Sequence, residues 1–192
     1  SLSVIRQLTE GIEFILHDRT FLMLISLSYA IFFFASSHMQ LMPAFADRLG
    51  VDAQGFGYLL SITGIGAVMG TIFSSPLQKS RMLGVSMLGS SFIYCVMIYG
   101  FALTTYWLFD GAYLVALAII FIASAFSSIF MITSTTVLQL EVPDQLRGRV
   151  MGFHAITYNM LPLGGMLAGT IAAKTNPPLA ICIGTSIFLV YL

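Results

Sequence analysis

The sequence predicts an all-α membrane protein with six transmembrane helices, and three observations predict it. Of 192 residues, 58% are hydrophobic and only 8% are charged, where soluble domains carry about 25% charged residues. The mean hydropathy is +0.94, which leaves more apolar surface than one core of this size can bury. The charges are confined between apolar runs at approximately 21–44, 57–77, 83–105, 112–138, 150–173 and 178–192. A helix needs roughly 20 such residues to cross the hydrocarbon core.

Composition also narrows function. A formal net charge of zero gives no reason to expect nucleic acid as a partner. Cys95 and Cys182 fall inside apolar runs, where they read as small packing residues rather than as a disulfide or metal pair. His17, His38 and His154 lack ligand spacing, so no metal and no cofactor is expected.

Residues 1–19 form an amphipathic lead segment. Val4, Ile5, Leu8, Ile12, Ile15 and Leu16 recur at helical spacing among Arg6, Glu10, Glu13 and Asp18. That pattern suits a helix lying in the membrane interface, although a plain linker helix would show it too. Residues 20–192 then form a six-helix half-bundle whose last helix is cut short. The chain starts at Ser1, and its final run, from about Leu179, has not clearly reached a full span at Leu192. The expectation is one half of a larger protein.

In the first run, steps of four, three and four place Tyr29, Phe33, Ser36 and Gln40 on one stripe. His38 lies about 16 residues into this run, roughly 24 Å along it, close to the outer headgroups. It reads as interfacial, with proton carriage as the sharper alternative. The second run holds Gly66 and Gly70 four apart, a small face that admits another helix. The surrounding Gly64-Ile-Gly-Ala-Val-Met-Gly70 has no preceding strand, so it is no dinucleotide loop. The third run ends at Tyr106 and Trp107 which, with Tyr113, flank the Asp110 turn like an interfacial belt.

The fourth run repeats the polar stripe with Ser124, Ser128, Met131 and Thr135. Hydroxyls and amides are costly in lipid without partners or water, so both stripes point to the interior or to a polar cavity. Back-bonding of Ser and Thr to the preceding turn is the plainer account. Glu141-Val-Pro-Asp-Gln-Leu-Arg-Gly-Arg149 then forms a polar island between the fourth and fifth runs. Pro143 stops one helix, and the Asp144 carboxylate is expected to cap the next. Arg147 and Arg149 sit where a helix dipole disfavours cations. They read either as topological anchors or as a latch that forms in one conformation only. In the fifth run His154 and Tyr158 lie one turn apart, Pro162 predicts a kink, and Gly165 with Gly169 repeats the small-residue face.

Charge placement sets orientation. With the N-terminus cytoplasmic, the inside set is Arg6, Arg19, Lys79, Arg81, Arg147 and Arg149, and the outside set is Arg48 and Lys174. The bias satisfies the positive-inside rule. No Asp, Glu, Lys or Arg lies mid-span, so a carboxylate that couples transport to protons is expected outside this chain.

The stretch from Val142 to Gly169, VPDQLRGRVMGFHAITYNMLPLGGMLAG, closely resembles the loop and following helix near the end of major facilitator superfamily transporters. The nearest branch is the bacterial exporters of drugs, macrolides and siderophores. EGIEFILHDRTFLMLI, from Glu10 to Ile25, resembles that branch's approach to its seventh helix. The resemblance covers essentially the whole chain as helices seven to twelve. One departure stands in Ser75-Pro-Leu-Gln-Lys-Ser-Arg81, which offers Gln78 where the family's loop carries an acid.

The resemblance implies a secondary transporter of two six-helix halves in the bacterial inner membrane. Its N-terminal half is missing here, and its small-molecule substrate sits between the halves near the midplane. It further implies that Tyr29, Phe33, Ser36, Gln40, Ser128 and Met131 face substrate, and that Lys79, Arg81, Asp144, Arg147 and Arg149 form a cytoplasmic gate. The expected function is export of small amphipathic molecules by alternating access, with proton antiport as the coupling. A non-transporting membrane scaffold is the alternative; an enzyme finds no support.

Overall fold

The apolar runs fold as helices in a computed structural model that describes residues 12, 13, 15–77 and 82–192. Every regular element among the described residues is helical. The expected gate residues Lys79 and Arg81, like most of the lead segment, lie outside the described residues.

Asp18 starts the first stretch: its carboxylate accepts from Thr20 N at 2.8 Å. Helix α1 (Arg19–Ala30) then loosens into a π turn (Ile31–Ala35), tightens into a 3-10 turn (Ser36–Met39) and resumes as α2 (Met42–Arg48). Pro43 in the first turn of α2 has no N–H to close on the Met39 carbonyl four residues back, which accounts for part of this break. Gly50, at φ 67°, makes the turn that an L side chain would resist. Asp52 Oδ1 accepts from Gly55 N at 2.9 Å near the start of α3 (Ala53–Leu77).

Helix α4 (Leu83–Tyr106) runs back, and its exposed carbonyls are taken by Arg48. That guanidinium donates to Thr105 O at 2.6 Å and to Tyr106 O at 3.3 Å. Gly111, at φ 88°, turns the chain into α5 (Ala112–Glu141), the longest helix. Val142 and Pro143 are extended or nearly so, a sharp stop. The chain then re-enters as α6 (Asp144–Ala155), a 3-10 turn (Ile156–Asn159) and α7 (Met160–Lys174). Pro162 leaves the Tyr158 carbonyl without its helical donor, as Pro43 does for Met39. Asn176 caps α8 (Pro177–Tyr191), accepting from Leu179 N at 2.9 Å.

Among the described residues, four stretches are long and apolar enough to cross a membrane: Arg19–Arg48, α3, α4 and α5. The other two expected spans differ. The α6–α7 stretch has length but opens on Asp144, Arg147 and Arg149 and carries Thr157, Tyr158 and Asn159 at its middle. Helix α8 has 15 residues, or ~22 Å at the helical rise, against a hydrocarbon core of ~30 Å.

Helix α5 is the spine, packed on α3 along one side and on α4 along another. Gly66 and Gly70 lie at the first contact. A Cβ on Gly66 would strike the Phe121 carbonyl oxygen, and one on Gly70 the Ala125 backbone. Removing both side chains brings the two backbones together, the usual route to tight helix packing where water supplies no driving force. The opposite side of α3 exposes Ile65, Val68 and Ile72, an apolar face suited to lipid. Helices α7 and α8 pack on each other and on the π turn of the first stretch, where α7 also meets the 3-10 turn.

Candidate functional site

The two broken stretches lie side by side, and functional side chains gather where they meet α5. Tyr29 donates its hydroxyl to Phe153 O at 2.6 Å. Phe32 meets the ring of Tyr158 edge-on, with centroids 5.4 Å apart. The Tyr158 hydroxyl lies 3.2 Å from Met131 Sδ. Thr135 donates to Met131 O at 2.9 Å, and its oxygen lies 3.3 Å from His154 Nε2. Three elements thus present a phenol, a thioether, a hydroxyl and an imidazole in one connected set. Tyr158 remains 52% exposed, so the set opens to the surface of this chain.

The contact between the stretches is close. A Cβ on Gly164 would strike the Phe33 carbonyl oxygen, and one on Gly165 would collide with the Gln40 side chain. Gly184 of α8 does the same for the Phe34 carbonyl, at 2.6 Å. Gly169 was expected at this contact, but nothing stands within 4 Å of its Cβ position. The 3-10 turn shifts the helical phase of α7 relative to α6; within α7 the buried face carries Gly164 and Ala168, with Gly165 beside them at the Gln40 side chain.

The same phase effect splits the first polar stripe. Tyr29, Phe33 and Gln40 turn towards the α6–α7 stretch. Ser36 is instead buried against α4, where the Tyr94 hydroxyl lies 3.1 Å from Ser36 Oγ. His38 belongs to that same buried group, its Nδ1 3.1 Å from Ala35 O and 3.4 Å from the Tyr94 hydroxyl. It is 4% exposed, packed inside the helical bundle. A period of 3.6 residues carried through a π turn and a 3-10 turn misplaces whatever follows.

On α5 the second stripe also divides. Ser124 is buried against α3, its Cβ 3.1 Å from where a Gly66 Cβ would stand. Ser128 is half-buried, and Met131 and Thr135 join the Tyr158 and His154 set. Phe32, His154 and Tyr158 complete the site. Their one legible signal in the sequence is the single-turn spacing of His154 and Tyr158.

At the polar island, the Asp144 carboxylate does not cap α6. The N-cap is Pro143, which makes no side-chain bond. Asp144 stands one residue inside and pairs with Arg147 at 2.6 Å. The dipole conflict at Arg147 is thereby eased by a neighbouring carboxylate three residues earlier. Both groups are largely exposed, so the pair is worth only a few tenths of a kcal/mol. At the other end, Arg48, Leu49, Asp110 and Tyr113 border a groove of ≈ 390 Å³. An apolar groove of ≈ 200 Å³ lies beside Tyr29 and Phe153, closed by Ile12, Ile15 and Leu16. Among the described residues no group of three or more His, Cys, Asp or Glu is gathered for a metal ion.

Comparison with known proteins gives the family of the chain. A family model described as transmembrane secretion effector matches residues 3–192. The enterobactin exporter EntS of Shigella flexneri is 31% identical over 144 residues, covering 74% of this chain and 34% of the relative. The EntS proteins of Escherichia coli O139:H28 and Shigella boydii serotype 18 show the same identity, with 33% of each covered. The chain therefore spans about a third of the length of these relatives. No solved structure matches it.

Proposed function

Since this chain belongs to the transmembrane secretion effector family of major facilitator transporters, we propose that it forms the C-terminal six-helix half of a bacterial exporter. The exporter would reside in the cytoplasmic membrane, with the lead segment and the polar island on the cytoplasmic side. It moves small amphipathic molecules, drugs or siderophores among them, by alternating access between this half and an N-terminal half. The similarity to enterobactin exporters supports export of such molecules. Proton antiport supplies the coupling.

The observation that carries this reading is the meeting of two broken stretches at α5. A straight helix has one low-energy form, whereas π and 3-10 turns mark places where winding changes at small cost. Here such turns lie next to Tyr29, Phe33, Gln40, Met131 and Tyr158. Aromatic and methionine walls adapt to ligands of different shape. Asp144, Arg147 and Arg149, with Lys79 and Arg81, form the cytoplasmic gate in this account.

The test uses the full-length protein reconstituted in liposomes under an imposed pH gradient, with ethidium and a siderophore as separate probes. Gln40→Leu combined with Ser128→Leu is expected to abolish efflux of a probe the parent exports, at unchanged protein yield. Efflux at the parent rate would remove these residues from the substrate path. A parent protein that assembles with other membrane proteins and moves no probe would favour a scaffold.

A further inference from the structure

The junction of α5 and α6 contains a chemical imbalance that substrate contact does not require. Thr135 spends its hydroxyl proton on Met131 O, so towards His154 it can only accept. That assigns the proton of neutral His154 to Nε2 and leaves Nδ1 as a bare acceptor. Nδ1 is buried and lacks a hydrogen-bond partner among the described residues, in a side chain 6% exposed. Thr157 Oγ1, three residues on, is also buried and unpartnered. A threonine in a helix ordinarily bonds the carbonyl four residues back, here that of Phe153. Tyr29 already donates to that oxygen, and the 3-10 turn shifts Thr157 out of register with it.

We propose that His154 is a proton-binding residue of this half, loaded at Nδ1 when the 3-10 turn at Ile156–Asn159 rewinds and admits water. A hydronium ion in that water gives its proton to the Nδ1 lone pair and is left as water; imidazolium forms, and no covalent bond in the protein breaks. The Nε2–H keeps donating to Thr135 Oγ1, while the new Nδ1–H gains Thr157 Oγ1 as an acceptor within one turn. The proton returns to water when the turn winds back. Proton loading is thereby tied to the helical state of the α6–α7 stretch.

The titratable and charged groups on the described elements packed around α6 are Arg19 and Tyr29 of α1, Tyr158 of the 3-10 turn, and Tyr113 and Glu141 at the two ends of α5. Glu13 and His17 stand on the lead segment beside them. Helix α6 itself adds Asp144, Arg147 and Arg149. The hydroxyls of Tyr29 and Tyr158 are committed to Phe153 O and Met131 Sδ, and Asp144 to Arg147. None of these commitments supplies a donor to Nδ1, so among the described residues its lone pair stays available to a proton.

This inference serves the transport reading, but the experiment separates the two. Full-length protein with 13C,15N-labelled histidine is placed in lipid nanodiscs, and the ring nitrogens are followed by solid-state NMR from about pH 8 to about pH 5. The His154 signal is identified by its loss in His154→Gln or, should that variant fail to fold, by its displacement in Thr135→Val. The expected result is a neutral Nε2–H ring at the alkaline end that becomes doubly protonated towards the acid end. Thr135→Val should let the Nδ1–H tautomer appear. A ring that stays neutral throughout, or a tautomer indifferent to Thr135→Val, overturns the inference whether or not the protein exports a probe. Export failure with a titrating ring overturns only the transport reading.

Discussion

Helices α3, α4 and α5 run unbroken for 25, 24 and 30 residues, while the Arg19–Arg48 and Asp144–Lys174 stretches each change winding partway. The two groups use glycine in the same way but to different ends. Gly66 and Gly70 seat α3 against an intact helix, so every backbone hydrogen bond beside the contact is already made. Gly164 and Gly184 seat α7 and α8 against the carbonyls of Phe33 and Phe34, inside the π turn where those bonds are irregular. Close packing on a regular helix resists change. Close packing on an irregular one couples two segments that can rewind together.

The largest expected effect breaks the rigid side of this comparison. Gly70→Leu must displace the Ala125 backbone, and overpacking of that kind costs about 3 kcal/mol. The expected outcome is a lower unfolding midpoint in a denaturant titration and poor yield. Gly164→Leu meets a backbone carbonyl too, but at a segment whose winding can shift. It should cost about 2 kcal/mol while stopping export outright; equal losses of stability in both variants would erase the distinction drawn here.

Pro162→Ala restores the N–H that the Tyr158 carbonyl lacks. Stability should change by under about 1 kcal/mol, because the proline stands in the first helical turn where it is tolerated. Export should fall nonetheless, through loss of the break, and an unchanged efflux rate would show that the break is passive. Tyr29→Phe removes one interhelical hydrogen bond, worth about 0.6 kcal/mol within a membrane. The same unfolding assay should register that small loss. Smallest of all is Asp144→Asn, which ends an exposed pair and should move stability by only a few tenths of a kcal/mol. If Asp144 belongs to a gate, the accessibility of the cytoplasmic side will shift more than the stability does.

The straight helices were legible because periodicity and apolar run length are local properties. The expected 83–105 and 112–138 became Leu83–Tyr106 and Ala112–Glu141, and the expected contact glycines Gly66 and Gly70 lie on the α3–α5 contact. The broken stretches were legible only in outline. Pro162 announced a break, yet Pro43, with the same physical effect, passed unremarked near the end of its run. Neither proline reveals how far the winding slips, so the face that Ser36 takes against Tyr94 is not legible in the sequence. The phase of a helix after a π or 3-10 turn depends on what it packs against, which a single sequence does not contain. Asp144 failed for a different reason: the sequence showed a good capping residue but not that Pro143 would take the cap position.

The faces of the broken stretches towards Phe33, Gln40 and Met131 are expected to line a water-filled path, whereas the outer face of α3 is expected to meet lipid. Single cysteines at Phe33, Gln40, Ser128 and Met131, and at Val68 and Ile72 as controls, test it in full-length protein from which Cys95 and Cys182 have been removed. A membrane-impermeant, water-soluble thiol reagent should label the first set, with labelling slowed by an exported substrate, and should leave the controls untouched. Labelling of Val68 and Ile72 as fast as Gln40, or none at any of the four, would contradict the account.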